Sequence, residues 1–144
     1  MKNILLYIGL GSILFADFSR STDGIITDNI TQLIWQDNYR DQENRIIPLF
    51  TWEEALNYCE QLTLGGNDNW RLPNKNELFS ITYFGRYKPA ISPLFLRTNE
   101  SHYWSSSTRA SINFHAWTIN FINGSTHIRN KTAPLSVRCV RSEL

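Results

Sequence analysis

Much of what marks a familiar enzyme is missing from this 144-residue sequence. There is no Gly-rich phosphate loop, which excludes the common nucleotide-cradling design. "WSSS" offers Ser105, Ser106 and Ser107, but no G-x-S-x-G elbow encloses them, so the strained turn that presents a hydrolase nucleophile is absent. The three histidines, His102, His115 and His127, lack HxxxH spacing, and the two cysteines form no CxxC pair, so neither common zinc pattern occurs. "GGNDN" (65–69) carries one carboxylate, Asp68, and no DxDxDG run, although calcium wants several oxygen ligands around one loop. No repeat or low-complexity tract divides the chain, and its length suits one domain. No apolar run reaches the roughly 20 residues that a membrane helix needs.

What is present is an aromatic-rich, globular composition: 42% hydrophobic, 19% charged and 13% aromatic, with five Trp and six Tyr. The opening "MKNILLYIGLGSILFADF" has one Lys, an apolar run from Ile4 to Ala16, and then a polar turn at Asp17. That order describes a secretory signal peptide over residues 1–16, with a single domain over 17–144. No Cys follows the run, so a lipid anchor is not expected. The protein reads as exported, to the periplasm or the cell surface, with no stable membrane span once the signal is removed.

Charge is unevenly spread. Residues 17–70 hold 3 basic and 10 acidic side chains, whereas residues 71–144 hold 10 basic and 3 acidic. Either the halves attract each other in the fold, or a basic face is offered to an acidic ligand. The two cysteines, Cys59 and Cys139, allow one pairing, and in an exported chain an even count predicts a disulfide. Closing so long a loop is worth about 4.5 kcal/mol on the chain-entropy account.

Local patterns place the elements. "GIITDNITQLIWQD" reads as strand, Asp28-Asn29 turn, strand, with Leu33, Ile34 and Trp35 in the second apolar run. Residues 37–50 lack periodicity and read as an exposed loop. "TWEEALNYCEQL" has Thr51 and Glu54 at capping-box spacing and an apolar stripe of Trp52, Ala55, Leu56, Cys59 and Leu62, ended by Gly65-Gly66. "NWRLPNKNEL" repeats the capping signal at Asn74 and Glu77. In this stretch Trp70 and Leu72 are expected as buried anchors and Arg71 as the partner of a helix carboxylate. The rest is β-like: "SHYWSSST" with Trp104, then "HAWTINFINGSTHI", with Trp117, Ile119 and Phe121 sharing a face and Asn123-Gly124 as a tight hairpin turn. In "LSVRCVR", Leu135, Val137 and Cys139 share one face, with Ser136, Arg138 and Val140 on the other. Carboxylate pairs such as Glu53-Glu54 fall in a helix first turn, where the macrodipole favours them.

Taken in order, "TDNITQLIWQD", "TWEEALNYCEQLTLGGNDNWRLPNKNEL", "YWSSS", "AWTINFINGS" and "VRCVR" resemble the family named for the C-terminal domain of the Legionella collagen-like adhesin. The resemblance spans residues 27 to 141, with one departure: Gln32 stands where the family usually has Gly. It implies an α+β, C-type-lectin-like fold, with two helices packed on small twisted antiparallel sheets and the N- and C-terminal strands close together. A Cys59–Cys139 bridge fits that architecture, and Trp35, Trp52, Trp70, Arg71, Glu77 and Trp104 become structural residues. The namesake is a trimeric adhesin domain that binds sulfated polysaccharides. The calcium-dependent sugar motifs of true C-type lectins are missing, as is the catalytic cysteine pair of the related formylglycine-generating enzymes.

The expectation is therefore a noncatalytic binding module without cofactor or metal. Its partner would be a sulfated or otherwise anionic glycan, or a protein of the envelope, and not nucleic acid. The candidate contacts are Arg109, His115, His127, Arg129 and Lys131 in the basic half, with Tyr103 and Trp117 as possible stacking platforms.

Overall fold

The structure is a computed structural model that describes residues 17–143. The expected signal segment, 1–16, lies outside the described residues. The chain is α+β, with two helices and two sheets. One sheet joins β1 (Phe18–Arg20), β2 (Ile25–Asp28), β3 (Leu33–Gln36) and β9 (Val140–Ser142) in the order β1-β2-β3-β9. The other orders β4 (Leu49–Phe50), β8 (Leu135–Ser136), β5 (His102–Thr108), β6 (His115–Asn120) and β7 (Ser125–Asn130) as β4-β8-β5-β6-β7. The last strand thus lies beside β3, and the two ends of the domain share a sheet.

Both helices form where local hydrogen bonding begins them. In α1 (Trp52–Gln61), Thr51 Oγ1 accepts from the Glu54 N–H and the Glu54 carboxylate accepts from the Thr51 N–H at 2.8 Å. In α2 (Lys75–Ser80), Asn74 and Glu77 repeat the exchange at 2.8 and 2.9 Å. Each box satisfies two of the N–H groups that a helix start leaves orphaned. The first helix ends at Gln61, with Leu62 as its cap. Gly65 and Gly66, both at positive φ, belong to a separate turn bridged by Leu64 and Asn67. At the β2–β3 turn Gln32 holds a φ of 62°, the left-handed value that glycine adopts without cost.

Apolar residues divide into two cores, one on each face of the strands. The first gathers Ile26, Trp35, Leu78, Ile81, Tyr103, Ile119, Phe121 and Val140. The second gathers Ile34, Ala55, Cys59, Trp70, Leu72, Trp104, Ala116, Val137 and Cys139. Neighbours in one strand therefore serve different cores: Ile34 and Trp35 in β3, Tyr103 and Trp104 in β5. The Cys59–Cys139 disulfide lies in the second core and joins α1 to the residue just before β9, across a sequence separation of 80.

Several expectations need correction. The 37–50 loop is not simply exposed, because Asp37, Tyr39 and Ile47 are buried in it. In β6 it is Thr118 that is buried while Trp117 stays half-buried, since Trp117 carries the Lys75 ammonium 4.4 Å from its ring centre. The β6–β7 connection is four residues rather than two, because Asn120 pairs with Ser125. In 135–141 both faces are covered, so Ser136, Arg138 and Val140 are as buried as Val137 and Cys139.

Candidate functional site

The β6–β7 hairpin gathers the candidate residues, but on two faces. Its register sets Arg129 opposite Ala116 and His127 opposite Thr118, so Arg129 and His127 share one face. On the neighbouring strand, His102 lies opposite Asn120 and joins that same face. A directed hydrogen-bond chain results. Arg129 Nη2 can only donate, so His102 Nε2, 3.0 Å away, must accept. The imidazole proton then sits on Nδ1 and points to Thr118 Oγ1 at 3.2 Å, while the Thr118 hydroxyl donates to the His127 carbonyl at 3.3 Å. Burial, the Arg129 charge and then His127 push the His102 pKa down to about 4. The His102 and His127 rings meet edge to face, 5.0 Å between centres.

The other candidates stand beside this strip. The Lys131 N–H donates to the Phe114 carbonyl, and its ammonium reaches Thr108 Oγ1 at 2.9 Å and lies 3.8 Å from the Trp52 ring centre. It thereby borders an open groove of about 540 Å³ shared with Trp52, Leu56, Asn57 and Glu60. The Arg109 N–H donates to the His115 carbonyl, which ties the two segments together by backbone alone. His115 projects to the opposite face from His127, and its Nδ1 is buried without a partner. The three histidines therefore do not converge. Tyr103 is fully buried, with its hydroxyl accepting from the Asn99 N–H, so it offers no stacking platform.

Two of the three serines of "WSSS" are occupied structurally. Ser105 donates to the Trp117 carbonyl at 2.7 Å, and Ser107 Oγ accepts from the Lys75 N–H at the start of α2. Trp52 and Trp104 donate their indole N–H groups to the carbonyls of Ser105 and Phe50. Arg71 meets Glu77 through two parallel bonds of 2.6 and 2.7 Å, so one carboxylate both caps α2 and holds the preceding turn. Burial raises the Glu77 pKa, but bonds from Arg71 and the Asn74 N–H, with the Arg71 charge, outweigh it and hold the carboxyl below its ordinary value.

Sequence reading missed two groups. His102 became a partner of Arg129 only through strand pairing. The second is a buried knot at Asp37, whose carboxylate accepts from Arg20, from Arg138 at 2.9 Å, and from the N–H groups of Leu96 and Arg97. Arg138 also donates to the carbonyls of Gln36 and Arg97 and to Thr98 Oγ1. The available signal was Asp37 directly after an apolar strand and Arg138 within the apolar "VRCV". Neither position marks burial by itself.

Among the described residues, no group of three or more His, Cys, Asp or Glu side chains is arranged to hold a metal ion. No helix there is long and apolar enough to cross a membrane. Exposed aromatics follow α2: Phe84 and Tyr87 are 66% and 72% accessible, and Phe79 lies 5.9 Å from the Phe84 ring. The family model of the Lcl C-terminal domain matches residues 24–141, most of the chain. No curated protein gives a significant match. The chain belongs to the Lcl C-terminal domain family, and that membership together with the disulfide indicates an exported protein.

Proposed function

From membership in this family, we propose that the protein is a noncatalytic binding module of the bacterial cell surface or periplasm that takes an anionic polysaccharide. One observation carries the reading. Of the four ion pairs among the described residues, only Arg138–Asp37 joins the acidic half to the basic half. The charge asymmetry is therefore not consumed by pairing between the halves, and basic side chains of 71–143 remain available to a polyanion. Arg109, His115, His127, Arg129 and Lys131, grouped about one hairpin, are the proposed contacts. The noncatalytic reading is supported by Ser105, Ser107 and the two cysteines, whose reactive atoms are bonded within the fold. A C-type-lectin-like architecture is our reading of the two-helix, two-sheet arrangement, supported by β9 beside β3 and the bridge from α1.

The test is binding of the purified, disulfide-intact chain to dextran sulfate and to neutral dextran across a salt series. Binding confined to the sulfated polymer and weakening steeply with salt is expected, as exposed charges are screened beyond about 10 Å at 0.1 M. Combined Arg109→Gln and Lys131→Gln should weaken it. Absence of binding at low salt would sink the polyanion reading.

A second reading, a protein partner in the envelope, is favoured by the exposed Phe79, Phe84 and Tyr87. It expects a complex that survives salt and is lost in Phe84→Ser while polymer binding is unchanged.

A further inference from the structure

Between the β1–β2 turn and the chain after β3 lies a cleft of about 110 Å³. Four arginines line it: Arg20 from β1, Arg40 and Arg45 from the loop after β3, and Arg97 from the segment before β5. Two carboxylates, Asp23 and Asp37, share the lining. The charge of Asp37 is already answered by Arg20, by Arg138 from behind, and by two backbone N–H groups. Only Asp23 remains against Arg40, Arg45 and Arg97, which are exposed and make no side-chain hydrogen bond or ion pair among the described residues.

Residues 17–70 carry an acidic excess, yet all three of their basic side chains, Arg20, Arg40 and Arg45, stand at this one place. Unpaired arginines lining one concavity repel one another, and a cleft with low-dielectric walls concentrates their field. An entering anion relieves that repulsion. The rim is built rather than loose. Asn38 Nδ2 donates to the Asp23 carbonyl at 2.6 Å, and Asn38 Oδ1 accepts from the Arg40 N–H at 3.0 Å. Gly24, at a φ of 74°, lets Arg20 lie against the turn, since a Cβ there would come 3.2 Å from Arg20 Nη2. Asn44 and Arg45 both hold a φ of 57°, a left-handed backbone that L side chains rarely take and that clusters at binding sites.

We propose that this cleft binds one compact oxyanion (a sulfate, phosphate or carboxylate group), with Arg40, Arg45 and Arg97 as the ligating forks and Arg20 as the fixed wall. Planar guanidinium groups match the oxygen spacing of such anions. The volume is well below the roughly 300 Å³ of sites that enclose a whole small molecule, so one charged group enters and the rest of its carrier stays outside. The site lies by the β1–β3 sheet, whereas the hairpin ends the other sheet, so it goes beyond the proposed polysaccharide contacts and does not depend on them.

The experiment is an NMR titration of the disulfide-intact chain with inorganic sulfate, phosphate or acetate at constant ionic strength, with chloride as the reference. Saturable shifts of the Arg40, Arg45 and Arg97 Nε–Hε signals are expected, with Arg129 unmoved. Arg40→Gln with Arg97→Gln should weaken the anion at least about tenfold, since each lost charge-assisted bond is worth more than a tenfold change. Both side chains are exposed and unpaired, so the melting temperature should hold, and Arg45→Gln alone provides an independent weakening. Shifts that match the chloride reference, or an affinity indifferent to these substitutions, would overturn the proposal. Dextran sulfate in place of free sulfate identifies the carrier. Polymer binding lost in the cleft variant assigns polymer-borne esters, while polymer binding retained, with free sulfate still saturating in the wild type, assigns free anions.

Discussion

At Asp37 an arginine is wholly enclosed and meets a carboxylate, while on the β5–β7 face an arginine is half-enclosed and meets a neutral imidazole. Arg138 and Asp37 both have side chains of 0% accessibility, and almost every polar atom around them is paired. Only Arg138 Nε is left without a partner. Arg129 has no carboxylate beside it, so its charge is tolerated because His102 gives up its own proton. A buried charge must be paired or a neighbour must become neutral, and the protein uses both solutions. The first ties the two ends of the domain together, and the second leaves a cation near the surface.

The sharpest way to break the contrast is to remove the enclosed carboxylate. Asp37→Ala should cost about 3–5 kcal/mol, because Arg138 is left buried without its counter-charge and two backbone N–H groups lose their acceptor. The denaturant midpoint measures it, and a loss below about 1 kcal/mol would mean that the knot is not what ties the two ends of the domain together. The half-exposed Arg71–Glu77 pair, at 42% and 16% accessibility, should matter far less. Glu77→Gln should cost about 0.5–1 kcal/mol near neutral pH. Because the folded pKa of Glu77 is held below its unfolded value, that stabilisation is complete above the unfolded carboxylate range. It is lost as pH falls through the folded pKa, so wild type and variant should converge in acid.

The smallest effect on stability is expected at the hairpin. Arg129→Gln should leave the melting temperature near neutral pH almost unchanged but raise the His102 pKa from about 4. The rise should stop short of the ordinary 6.5, because burial, the largest cause, remains. His102 is depressed on folding, so the unfolded chain takes up the proton first and stability falls as pH drops from about 6.5 toward 4. The variant should narrow that window. A His102 that titrates near 6.5 in the wild type would remove the hydrogen-bond chain drawn here.

Both helices were legible because a capping box is a contact over three residues and needs no tertiary partner. The first two long strands and the β6–β7 hairpin were legible through alternation and turn residues. Alternation assigns faces, however, and does not say whether both faces will be covered. That is why Arg138 was set only on the face opposite Cys139, and Asp37 in an exposed loop, although both are buried. The candidate cations were read only as members of the basic, β-rich half, and their division between faces depended on a pairing register that a single strand does not contain.

Composition, cysteine count and local periodicity determined two capped helices followed by β-like segments, a 59–139 bridge and a basic second half. Each follows from short-range chemistry or from residue identity alone. Which charges are spent inside and which are left facing outward was decided only by tertiary structure. Electrostatic pairing depends on distance in space, and Arg20, Asp37, Arg97 and Arg138 are brought within reach of one another only when the sheet closes.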